Sequence, residues 1–436
     1  MSAYTPPPPL PSGDLDAAVD RTGTWSRKVQ GRQGAYIGRS PAVVPLWVAD
    51  MDFRSPQPVV DALVARASNG VYGYTDCPPQ LKQLILERLK RVGGCGADPS
   101  ESWLRMLPGL LPGLHHAVKT ACREPGESAV AIPTPVYAPF LSTPDFSGAA
   151  LAAVPLRETS RAAGEMHFEV DWAALEATLA EPKTKLLHWC NPHNPTGRCW
   201  TRADLARVAR LCVEHEVLLC SDEVWGEVPL EPEAHPFVSL LALLAADEEA
   251  AASAANVADA EAARGVAGLS KQLIVMTSPS KCFNVAPLDI ATAIVPDDSL
   301  RRRFRRVGLD AAEVSIFGYT ATVAAYGDPA CEAWRQRMVA YIKANRDFAA
   351  DALDAMGVRY VRPEASYLMW MDASGALPEG TNAEQFFLEE AGVGLTGGVA
   401  FGGAPGNVRM NLGCRRETLE EGLRRMAAAI ERAKGT

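Results

Sequence analysis

The 436-residue chain has no apolar stretch near the ~20 residues that cross a bilayer, so nothing in it reads as a membrane span. Nor does it carry an excess of positive charge: 43 Lys and Arg against 52 Asp and Glu leave a net charge of -9. That balance excludes the basic stripe that neutralises phosphates, and no nucleic-acid partner is expected. The ten cysteines include no Cys-x-x-Cys pair, and the seven histidines show no ligand spacing, with His115 and His116 adjacent rather than a helical turn apart. No metal site is expected. Several cysteines sit in apolar stretches, where a reduced thiol acts as a small hydrophobe, and this points to a reducing compartment. The N-terminus lacks both an apolar h-region and an Arg-rich amphipathic pattern. With its run of prolines from Pro6 to Pro9 it reads as a solvated, polyproline-like tail, and a cytoplasmic location is expected.

What is present has the balance of a globular protein, 47% apolar and 22% charged, and a length that implies two domains. Short apolar runs alternate with helical patterns through the middle of the chain, the signature of an α/β protein with a parallel sheet. The candidate buried strands are Ser128–Pro133, Lys185–Cys190, Val217–Ser221, Leu273–Thr277 and Ala291–Val295. Between them fall amphipathic helices such as Thr201–Glu214, where Thr201 can cap the start and Asp204 sits in the first turn. Val238–Gly268 is rich in Ala, Glu and Asp and reads as a surface helix or flexible insertion with no site of its own. From about Arg301 the pattern turns mainly helical, with a strand expected at Tyr367–Met371 and a terminal helix at Arg416–Lys434, so a smaller second domain closes the chain.

Several strands run straight into polar residues, Asn191, Asp222 and Ser278, and ligands of open α/β sheets bind at such strand ends. Thr277-Ser-Pro-Ser-Lys281 ends a buried strand. Taken alone, a lysine there is most often a surface charge, and Asp222 most often a cap. Together they offer what pyridoxal phosphate requires: an amine to hold the cofactor, hydroxyls at Ser278 and Ser280 for a phosphate, and a carboxylate to keep the ring nitrogen protonated. The same amine can serve as the base at an amino acid's Cα. In Asn191-Pro-His-Asn-Pro-Thr-Gly197 the prolines and glycine fix a turn from which an Asn amide can donate to the ring oxygen. Leu107-Pro-Gly-Leu-Leu-Pro-Gly-Leu114 leads into a helix whose N–H groups can face an anion.

In this order and spacing the segments resemble the fold-type I pyridoxal-phosphate enzymes of the class I/II aminotransferase superfamily, and within it the cystathionine β-lyase, or C–S lyase, branch. The resemblance also rests on Gly23-Thr-Trp25, Trp47-Val-Ala-Asp-Met-Asp-Phe53, Gly73-Tyr-Thr75, Pro133–Phe140 and Ser278–Asn284; Ala-Asp-Met-Asp-Phe separates this branch from ordinary transaminases. It implies a large domain with a mostly parallel seven-stranded sheet flanked by helices, and a smaller α+β domain. The boundaries it implies are a tail at 1–20, a segment at 21–60 packing on the small domain, a cofactor-binding domain at 61–305 that includes the 238–268 insertion, and a small domain at 306–436. By resemblance Lys281 is the cofactor lysine and catalytic base, Asp222 the pyridinium partner and Asn194 the ring-hydroxyl contact. Tyr137 would stack on the ring, and Ser278 with the backbone of Leu110 and Leu111 would hold the phosphate. Arg409 would clamp the substrate carboxylate, and Tyr74 would reach into the site of the other subunit of a homodimer. One position departs from the branch pattern, and another from that of ordinary aminotransferases in a way that favours the branch. Trp225 stands where a histidine is usual, which bears on the substrate pocket, and Asp289 stands where ordinary aminotransferases carry a phosphate-binding arginine.

The activity implied is α,β-elimination on cystathionine, cysteine or an S-substituted cysteine, releasing a thiol, pyruvate and ammonia. An aminotransferase on the same scaffold is the alternative, distinguished by its need for a 2-oxo acid. A catalytically silent relative kept for binding or regulation is the third reading, and the intact Lys281, Asp222 and Arg409 argue against it.

Overall fold

A computed structural model describes residues 15–245, 260–261, 264–309 and 311–435. Most of the expected tail and the middle of the expected 238–268 insertion lie outside the described residues.

Seven strands form the larger sheet, in the order Leu104–Leu107, Ala291–Ile294, Leu273–Thr277, Leu218–Asp222, Thr184–Cys190, Ala129–Thr134 and Ala150–Pro155. Only Ala291–Ile294 runs against the others, so the expected mostly parallel seven-stranded sheet is present. Ala129–Thr134 and Leu218–Asp222 are buried at every position, because helices cover both faces of a parallel sheet and leave no face for polar residues. The five expected core strands are each found within one residue of their expected ends. The helix Arg202–Glu214 begins in a capping box, Thr201 Oγ1 accepting from the Asp204 amide and Asp204 accepting from the Thr201 amide.

A second, six-stranded sheet runs Thr396–Gly397, Asn407–Asn411, Leu368–Asp372, Arg359–Val361, Glu165–Glu169 and Arg157–Ala162. Its last two strands are a hairpin from the first half of the chain, so the C-terminal unit takes a third of its sheet from sequence that precedes it. The N-terminal segment joins the same unit: Val44–Pro45 pairs in parallel with Val393–Gly394, and the Asn411 amide donates to Leu46 O.

The region around residue 240 corrects the sequence expectation. Leu240–Leu243 forms a buried 3-10 turn packed in the core of the larger domain, neither a surface helix nor a flexible insertion. The Ser239 hydroxyl donates to Glu223, and the Leu240 amide donates to the same carboxylate at 3.0 Å. Four successive apolar residues had signalled burial at this point; the Ala/Glu-rich stretch that follows obscured it.

Candidate active site

Three adjacent parallel strands end side by side, and each delivers one polar group to the same rim. Thr184–Cys190 leads into the turn that carries Asn194, Leu218–Asp222 ends on Asp222, and Leu273–Thr277 runs into Ser278 and Lys281. Asp222 is buried, forms no ion pair among the described residues, and accepts from the Val224 amide at 3.1 Å. Burial raises its pKa to about 7, against which the Val224 amide and the charge of Lys281 pull downward. A buried carboxylate with spare capacity to accept calls for a cation, and a pyridinium nitrogen meets that need.

Lys281 Nζ donates to the Ala49 carbonyl at 3.0 Å and lies 5.7 Å from the centre of the Trp225 ring. Burial, and next the positive charge of Arg409, lower its pKa to about 8, opposed by Asp50 and Asp222. An amine that loses its proton this easily is suited both to forming a covalent bond with a carbonyl compound and to taking a proton from carbon.

Arg409 comes from the other sheet. Its Nη1 donates to Asn194 Oδ1 at 3.1 Å and its Nη2 to Trp47 O at 3.2 Å, while Nε is buried without a partner. The guanidinium lies 4.7 Å from the Phe401 ring centre. Burial lowers its pKa to about 10, so it remains a cation at neutral pH with its Nε donor unused, an arrangement suited to a substrate carboxylate. Tyr137 is held by its amide donating to Asn194 O at 2.9 Å, and its hydroxyl lies within the fields of Arg409 and Asp222.

The anion cradle lies at the sheet's other flank. Gly109, at φ +114°, turns the chain into the helix Leu110–Ala121, whose first N–H groups on Leu110 and Leu111 have no acceptor within the helix. The Ser278 hydroxyl is 2.5 Å from that of Ser280 and donates to Ile290 O at 2.7 Å. Asp289 Oδ1 lies 3.9 Å from the point a Cβ on Gly109 would occupy, so a carboxylate borders the cradle.

Lys281, Asp222, Asn194, Tyr137, Arg409 and Trp225 thus lie close together where the two sheets meet, with the cradle beside them. Tyr74 does not join them within the chain; it is 98% exposed. Sequence reasoning passed over Tyr367, which donates to Ala49 O at 3.1 Å and meets the Trp225 ring edge-on at 4.7 Å. It also gave no separate role to Asp50. Tyr367 had been read as the first residue of a strand, and nothing in the sequence shows that its hydroxyl turns toward the site.

A buried amine, a carboxylate awaiting a cation and a helix N-terminus at the strand ends of the larger sheet, met by an arginine of the second sheet with an open donor, define a pyridoxal-phosphate enzyme of fold type I. The family model for aminotransferase class I and II matches residues 42–426, and the chain belongs to that family. It is 34% identical to the cystathionine beta-lyase PatB of Bacillus subtilis, over 96% of this chain and 100% of that one. It is 28% identical to the protein MalY of Escherichia coli, over 96% and 98%. Among solved structures, the pyridoxal-phosphate-bound C–S lyase of Staphylococcus hominis superposes with a TM-score of 0.80 at 27% identity, covering 96% of this chain and 98% of that one.

Proposed function

We propose that the chain is a C–S β-lyase that cleaves cystathionine, cysteine or an S-substituted cysteine to a thiol, pyruvate and ammonia. The observation that carries this reading is the placing of Lys281 near the buried carboxylate of Asp222, which has no ion pair among the described residues. The resemblance to curated cystathionine β-lyases along nearly the whole chain selects elimination over amino transfer.

In this reading Arg409 holds the substrate's α-carboxylate through its free Nε and a neighbouring N–H, and Asn194 keeps the guanidinium in plane. When bound, pyridoxal phosphate supplies an electron sink for the bonds at the substrate's Cα. Asp222 would keep the ring nitrogen cationic, Asn194 would donate to the ring hydroxyl and Tyr137 would lie against the ring. Ser278 and the amides of Leu110 and Leu111 would hold the phosphate. Lys281 removes the Cα proton, and the carbon–sulfur bond at Cβ breaks. One water then converts the three-carbon remainder to pyruvate and ammonia, with the sulfur released as a thiol. The Trp225 and Tyr367 rings form an apolar, aromatic wall beside Lys281, from which bulk water is excluded.

We further propose a homodimer in which Tyr74 serves the neighbouring subunit's site. Support comes from the exposed cluster Val71, Tyr72 and Tyr74, with Val64 on the preceding helix, an apolar surface of the kind that interfaces cover. The ten unpaired cysteines fit a reducing, cytoplasmic setting. No helix among the described residues is long and apolar enough to cross a membrane. The test is substitution of Lys281 by Ala: the variant is expected to lose both the cofactor's visible absorbance and thiol release. Retention of covalent cofactor would remove Lys281 from its role.

A further inference from the structure

The motif Ala49-Asp50-Met51-Asp52-Phe53 is held in place by both halves of the site. Asn284, three residues after Lys281, accepts from the Met51 amide at 2.9 Å and donates to Met51 O and Phe53 O. Asn411, two residues after Arg409, donates to Val48 O and Asp50 O at 2.5 and 2.7 Å. The Ala49 carbonyl, fixed between these anchors, accepts from both Lys281 Nζ and the Tyr367 hydroxyl.

The two carboxylates of the motif have different surroundings. Asp52 is spent on structure: its Oδ1 pairs with Lys28 at 2.9 Å and with Arg21 at 3.1 Å. Asp50 pairs with Arg21 through Oδ2 at 2.5 Å, but its Oδ1 is buried and has no hydrogen-bond partner. A charged oxygen in that position is costly unless a cation faces it. The charges facing Lys281 are Arg409 from the second sheet, Asp222 from the strand end and Asp50 from the N-terminal segment, next in the chain to the Ala49 carbonyl that holds the amine. Around Asp50 itself are Arg21, Lys28 on its backbone oxygen, Lys281 and the Tyr367 hydroxyl.

We propose that Ala49 and Asp50 form the docking site for the side chain of Lys281 when it is not bonded to the cofactor, with the Ala49 carbonyl fixing the amine and Asp50 a positioning residue that sets its proton affinity. The inference rests on Lys281 being the catalytic lysine. It gives the motif a task that Asp222 cannot perform in the loaded enzyme, where the pyridinium engages that carboxylate. Arg21 moderates the effect, because its charge offsets that of Asp50.

The experiment measures amine labelling of Lys281 against pH in the full-length, cofactor-stripped chain, read peptide by peptide by mass spectrometry. Replacing Asp50 with Asn is expected to lower the labelling midpoint by about one pH unit. Replacing Arg21 with Gln is expected to raise it, and Asp50→Glu to leave it near the wild-type value. In the holoenzyme the acidic limb of the kcat profile for thiol release moves in the same directions. A purely structural role for Asp50 would move D50N and R21Q the same way, since both break the Arg21–Asp50 ion pair. That result, or an unmoved midpoint in either variant, overturns the proposal. If D50N does not fold, the rise in R21Q decides alone. Borohydride trapping of the cofactor on the Lys281 peptide tests the underlying assignment separately.

Discussion

At the scale of single residues, the site is a set of charges whose burial creates their chemistry. Asp222 and Glu223 are adjacent carboxyls both raised to about 7 by burial, yet only Glu223 is fully satisfied, by Ser221, Ser239 and the Leu240 amide. An acid whose native pKa lies above its unfolded value of 3.8 keeps its proton longer in the folded state. Asp222 therefore contributes a loss of stability to the cofactor-free chain as pH rises from 3.8 through about 7, and Asp222→Asn is expected to remove that contribution in thermal unfolding scans. The same variant, loaded with cofactor, is expected to keep it bonded to Lys281 while thiol release falls about a hundredfold or more. For Arg409→Lys, which loses the planar fork, kcat/KM is expected to fall by about 2 kcal/mol, roughly thirtyfold, mostly through KM. Lys281 and Asp222 were legible because a lysine and an acid at neighbouring strand ends make chemical sense as a pair. Arg409 was legible only by resemblance, since nothing in Asn407-Val-Arg-Met-Asn411 says that the strand's buried face meets Asn194.

At the scale of elements, the sequence spoke clearly wherever periodicity was strong. Continuous apolar runs marked the buried strands, and Thr201 with Asp204 marked a helix start. The hairpin Arg157–Glu169 was not legible, because its exposed, charged first strand lacks alternation and its sheet partner lies some two hundred residues away. We propose that the division at 61–305 and 306–436 holds for the chain's two cores, with this hairpin as the bridge between them. Two interior devices carry element-level expectations. Arg88 pairs with Glu227 in the interior and lies over the rings of Phe283 and Tyr326, so it braces the segment just after Lys281. Arg88→Met would strand the Glu227 carboxylate and is expected to destabilise by about 3 kcal/mol, part of it recovered when Glu227→Gln is added. Gly197 closes the turn of Asn194 at φ +67°, and a Cβ there would run into Pro363 and the Ala365 carbonyl. Gly197→Ala is expected to lower the unfolding temperature and weaken cofactor binding together, because the same turn aims Asn194.

At the scale of the whole molecule, the chain brings its strand ends, its N-terminal segment and its second sheet together at one site, and leaves Tyr74 exposed outside it. That last fact makes the proposed dimer part of the catalytic account. Mixing Tyr74→Phe with Lys281→Ala is expected to restore a fraction of the activity in heterodimers, each of which holds one site with both native residues; no restoration would place Tyr74 outside the chemistry. Length had already indicated a two-domain protein, and the motifs supplied the cofactor. The leaving group beyond Cβ is the least legible part, because it is the part of the substrate that the sequence constrains least. The account is tested most directly by incubating the cofactor-loaded protein with cystathionine and a panel of S-alkyl cysteines, without any 2-oxo acid, and following pyruvate and free thiol together. Equal release of the two is the expected result. Absence of pyruvate, with amino-group transfer once a 2-oxo acid is added, would contradict it.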